Sequence, residues 1–115
     1  MFPSQLEFLR HILDECIFIL HATENKTQED IMNDETLSRA LVRSLEIIGE
    51  ASKRVNDDFK IKYIQIDWKE MAGMRDKLIH HYFGIDYDVV YRTVQKDIPE
   101  LNHEIHRIIT IEEGK

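Results

Sequence analysis

A single cysteine, four glycines and two prolines in 115 residues exclude several architectures at once. One cysteine can neither form an intramolecular disulfide nor build a cysteine-based zinc site. So few glycines and prolines cannot supply the many tight turns of a β-sandwich or barrel. No stretch approaches the ~18 consecutive apolar residues of a membrane span, and no basic segment leads into an apolar run with a small-residue cleavage site. These absences point to a cytoplasmic, mostly helical chain with no membrane association. Cys16 falls in the apolar run Cys16-Ile17-Phe18-Ile19-Leu20, where a lone thiol reads as a small core residue.

What is present is an ordinary globular composition, 43% hydrophobic and 32% charged. A chain of this length buries about two-thirds of its extended surface, enough for one core, so residues 1–115 are expected to form one domain. The net charge of −7 argues against coating nucleic acid by bulk electrostatics. The charge is uneven, however. Residues 1–35 hold eight acids against Arg10 and Lys26, and the remainder is nearly balanced, with 13 basic and 14 acidic side chains. Any anion site should therefore be small and local.

Hydrophobic spacing predicts an all-α, up-and-down bundle of about four to five helices. Ser4 and Glu7 have the spacing of a capping box, and Leu6, Leu9, Ile12, Leu13, Cys16, Ile17 and Leu20 follow as one face of a first helix over about 4–23. Residues 24–35 are polar and read as a loop with at most one helical turn from Thr27. A second helix over about 36–55 carries Leu37, Ala40, Leu41, Leu45, Ile48, Ala51 and Val55 on one stripe. Gly49 stands inside it, where glycine costs about 1 kcal/mol against alanine, so close approach of another backbone is expected there. Residues 60–66 read as an extended connection. Asp67 caps a third helix continuing to about Phe83 and ended by Gly84, Asp86 caps a fourth segment, and Asp97-Ile98-Pro99 restarts a fifth.

The chemistry concentrates in Trp68 to Asp86, WKEMAGMRDKLIHHYFGID, which places Arg75, Lys77, His80, His81 and Tyr82 within eight residues of an otherwise acidic protein. Arginine grips a phosphate through two parallel charge-assisted hydrogen bonds, and histidine is the side chain best matched to proton transfer near neutral pH. Together they suffice for RNA cleavage without a metal. A base takes the proton of the ribose 2′-hydroxyl, that oxygen attacks the adjacent phosphorus, and the arginine holds the charge that develops. On a straight helix, at about 100° per residue, Arg75 and Tyr82 share a face and His80 lies about 140° from Arg75. Either the helix kinks or unwinds between Leu78 and Gly84, or a second subunit completes the site across a two-fold axis, the arrangement we favour from sequence. His103 and His106 sit three apart on the last helix, but H-E-I-H is not H-E-x-x-H, and the pair reads as surface rather than as metal ligands. No metal and no cofactor are assigned.

At this window the chain resembles the HepT family of small helical toxins, within the HEPN superfamily of ribonucleases. The family motif R-x4-H-x-Y is matched by Arg75, His80 and Tyr82. Trp68, Gly73-Met74, Asp76, His81 and Phe83-Gly84 fit the flanking pattern, as does Arg43 to Ala51 with its IGEA stretch, so the resemblance covers nearly the whole chain. It implies a homodimer whose motif segments line a shared cleft and cut RNA without a metal. It also implies a partner, a minimal nucleotidyltransferase antitoxin that transfers AMP from ATP to Tyr82. Carried over, Arg75 is the phosphate clamp, His80 the general acid or base, and Tyr82 a site residue and AMP acceptor, with Asp76, Lys77 and His81 in support. The competing expectation is a non-catalytic helical subunit that binds nucleotide or presents substrate to a nucleotidyltransferase.

Overall fold

The computed structural model describes residues 4–79 and 84–114, and within them the all-α class holds. In chain order the helices are α1 (Gln5–Ala22), α2 (Gln28–Asn33), α3 (Glu35–Arg54), α4 (Asp57–Lys62), α5 (Trp68–Ala72), α6 (Met74–Leu78), α7 (Tyr87–Arg92) and α8 (Ile98–Glu113). A π-turn at Thr93–Asp97 joins the last two. The described residues contain no strand, and their β pairing is one isolated antiparallel bridge between Ile79 and Ile85.

The three long helices form the frame because each has a continuous apolar face. On α1, Leu9, Ile12, Cys16 and Ile19 are buried at helical spacing. They pack against α3 and α8. Arg10 near the start of α1 pairs with Glu113 at the end of α8, and the Asn56 backbone N–H just past α3 donates to Gln5 Oε1 at 2.7 Å. Both neighbours therefore run antiparallel to α1, the up-and-down arrangement expected. Helix α3 is central, and the expected stripe understates its burial. Val42 and Gly49 are also buried on one flank and Ser44 on the other, since α1 covers one side of α3 while α5 and α6 cover the opposite side.

Several expectations change. The capping box at Ser4 does not form: its side chain makes no cap bond, and the Glu7 N–H donates to the Ser4 carbonyl at 3.1 Å. A complete capping box forms instead at Thr27 and Asp30, and the single helical turn expected from Thr27 lengthens into α2. Residues 60–62 of the expected extended connection belong instead to a helix over 57–62, started by Asn56, whose side chain accepts from the Phe59 N–H at 2.9 Å. The third helix breaks at Gly73 into α5 and α6 and stops at Leu78, with Ile79 already extended. Conversely, the fourth and fifth segments do not separate, because the backbone stays helical through the π-turn into Ile98.

Gly49 meets the expectation made for it. A Cβ there would lie 3.1 Å from the Met71 carbonyl oxygen and 3.7 Å from that of Ala72, so α3 and α5 touch backbone to backbone. Gly84 has φ +107°, a conformation that side chains with a Cβ resist, and it sits one residue before the bridge at Ile85. Cys16 is buried as expected, and burial, helped by the nearby Glu15 carboxylate, pushes its thiol up to about 12. It is chemically quiet near neutral pH.

Candidate active site

The segment carrying the motif is built outward from two buried anchors. In α6, Met74 and Leu78 are buried four residues apart, which turns the three residues between them, Arg75, Asp76 and Lys77, to the surface. Helix α5 upstream is seated by Trp68, buried itself, whose indole N–H donates to the Tyr63 carbonyl at 3.0 Å. Tyr63 in turn donates its hydroxyl hydrogen bond to Glu112 of α8. The exposed charges of α6 thus rest on a buried, hydrogen-bonded base.

Arg75 is 60% exposed, and its Nε donates to Glu46 Oε2 of α3 at 3.1 Å. Sequence reasoning missed Glu46, which falls inside the Arg43 to Ala51 stretch but off the apolar stripe. The available signal was its place on the flank shared with Val42 and Gly49, the side of α3 that α5 and α6 cover. Lys77 pairs with Glu70 at 3.0 Å, so part of its positive potential is already neutralised. Asp76 is exposed, and the carboxylate that Arg75 meets is Glu46 rather than Asp76.

His80, His81 and Tyr82 lie outside the described residues. What is described is the chain on either side of them. Ile79 and Ile85 pair across the interval, and the Asp86 N–H donates to the Leu78 carbonyl at 2.8 Å. Helix α6 ends at Leu78, and Ile79 is already extended. The helix stop at Leu78 falls within the interval where unwinding was expected from sequence.

Two surface concavities stand out, and only the first touches α5 and α6. A cleft of about 260 Å³ beside Met71 and Met74 is rimmed by Asp67, Glu70, Asp97, Glu100 and Glu104, a sign of charge that repels a polyanion. A second groove, of about 340 Å³, lies between α1 and α3 and carries Arg43, Arg54, His11 and Glu50 around Phe8 and Ile47. Among the described residues, no three metal-ligating side chains converge. His103 and His106 are both exposed.

An all-α bundle that exposes the arginine of an R-x4-H-x-Y segment just before a helix stop belongs to the HEPN type. The Ribonuclease HepT-like family model matches residues 12–108, and the chain belongs to that family. It is 48% identical over 102 residues to "Putative RNase TTE0752" of Caldanaerobacter subterraneus, covering 89% of this chain and 91% of that one. It is 46% identical over 108 residues to "Putative RNase MJ1216" of Methanocaldococcus jannaschii, covering 94% and 89%. Against "Probable ribonuclease HepT" of Thermococcus cleftensis the identity is 43% over 105 residues, covering 91% and 96%. No solved structure matches the chain.

Proposed function

We propose that this protein is the toxin of a toxin–antitoxin pair, a metal-independent RNA endonuclease silenced by transfer of AMP to Tyr82. The observation that carries the reading is the position of Arg75: exposed on α6 above buried anchors, five residues before His80, with the chain between them leaving the helix after Leu78. Arg75 grips the phosphate flanking the scissile bond and holds the charge that builds on its non-bridging oxygens. His80 moves the proton. The 2′-oxygen, once deprotonated, bonds to phosphorus as the 5′-oxygen leaves and takes up a proton, giving a cyclic phosphate on one fragment and a free hydroxyl on the other.

Tyr82 serves as a site residue and as the acceptor of AMP, its oxygen bonding to the α-phosphorus of ATP as pyrophosphate leaves. A phenol is a competent acceptor once deprotonated, and the added nucleotide brings negative charge and bulk to a place built for RNA phosphate. Asp76 orients the histidine, while Lys77 and His81 supply the remaining polar surface. Two copies associate so that their motif segments face a common cleft in the cytoplasm. Ile17 and Phe18 on α1, 43% and 45% exposed, give a second copy apolar surface to cover.

The test is cleavage of total RNA by the purified, unmodified protein in excess EDTA. Discrete products are expected. No cleavage by a folded protein verified by mass to lack AMP would favour the non-catalytic binding subunit. Exposure to the partner nucleotidyltransferase with ATP is expected to raise the intact mass by one or more AMP units, and Tyr82→Phe is expected to remain unshifted. A shift of equal size in Tyr82→Phe would place the acceptor elsewhere.

A further inference from the structure

We infer that Glu46 is a positioning residue for Arg75, an assignment that rests on the nuclease reading above. A guanidinium offers its Nε–H along one edge and a pair of terminal N–H groups at its end. Glu46 takes the Nε–H at 3.1 Å, and among the described residues nothing engages the terminal pair. The end of the fork is thereby left outward, in the orientation that donates to two phosphate oxygens.

The rest of α3 shows why this carboxylate is the one that reaches across. Glu35 is paired with Arg39 and Glu50 with Lys53, each within its own helix. Glu46 has Arg43 and Glu50 as neighbours one turn away, yet it pairs with Arg75, 29 residues along the chain. Its own side chain is 26% exposed against 60% for Arg75, so the carboxylate is the fixed member and the guanidinium the presented one. Gly49, one turn further along α3, brings that helix against the α5 backbone and sets the spacing from which Glu46 reaches α6. A pair this exposed contributes little to stability, so orientation is the larger part of what it supplies. The carboxylate also offsets part of the guanidinium charge, which limits how tightly RNA is held before reaction.

Steady-state cleavage of a synthetic oligoribonucleotide spanning a site the parent cuts, compared for the parent, Glu46→Ala and Glu46→Gln, tests the assignment. Glu46→Ala is expected to lower kcat by about tenfold to a hundredfold, the scale of loss from a misplaced group, while KM is unchanged or falls. Glu46→Gln keeps an oxygen that accepts from Nε and is expected to recover most of the loss. Melting temperatures should stay within a few degrees of the parent. A parental kcat in Glu46→Ala, an equal loss in both variants, or a loss matched by a collapse in melting temperature would each overturn the positioning role. A parent that cleaves no RNA at all would instead remove the nuclease reading, and this one with it.

Discussion

Arg75→Ala is expected to reduce RNA cleavage by roughly 10²- to 10³-fold, the scale on which a single charge-stabilising group acts in the transition state. His80→Ala should cost a comparable roughly 10²- to 10⁴-fold through loss of proton transfer. The structure makes the arginine variant clean. Arg75 is mostly exposed, it pairs with Glu46, and the core residues beneath it, Met74 and Leu78, are untouched by the change. Melting temperature should therefore stay near that of the parent. Arg75→Lys sharpens the result, because an ammonium keeps the charge and loses the planar fork. If it retains full rate, charge alone is sufficient and the paired contact to phosphate is wrong. In cells, both alanine variants should relieve growth arrest, and full toxicity from both would sink the catalytic assignment.

Periodicity found the elements that owe their helicity to burial and missed those that owe it to their ends. Helices α1, α3 and α8 each run sixteen residues or more with buried positions three and four apart, which is a readable signal. The Asp86 cap of α7 was equally legible, and its side chain accepts from the Val89 N–H at 3.1 Å. By contrast, α4 has six residues and none fully buried. Its helicity comes from Asn56 at one end and from contacts that no six-residue pattern displays. The break at Gly73 is similar: Met71, Ala72, Met74 and Leu78 look like one stripe, and only the packing of α5 and α6 on α3 shows that they belong to two short helices.

The site divides along the same line. A motif is a property of spacing in one segment, so Arg75, His80 and Tyr82 were legible together. The Glu46 contact joins two segments 29 residues apart, and the sequence does not say which flank of α3 faces which neighbour. Gly49 is the exception, since its cost inside a helix announces a close approach without naming the partner. The partner is the carbonyl of Met71.

The largest stability effect is expected at Trp68, the sole tryptophan of the chain. Trp68→Ala should destabilise by about 3–5 kcal/mol, since a buried indole leaves a cavity the surroundings cannot fill. With roughly 4 °C or more per kcal/mol in a domain of this size, the midpoint should fall by more than about 10 °C. Trp68→Phe should cost far less. The Tyr63 carbonyl that loses the indole N–H still accepts from the Ile66 N–H at 3.2 Å, so it is not stranded, and the phenyl ring keeps most of the apolar contact. Because the substitution removes the natural fluorophore, unfolding should be followed by the helical circular dichroism signal. The comparison also separates the base from the site: Trp68 seats α5, and α5 leads directly into the helix carrying Arg75. If Trp68→Phe melts near the parent yet cleaves RNA poorly, the indole N–H bond is setting the placement of α6. Parental cleavage would show that packing alone holds the arginine in place.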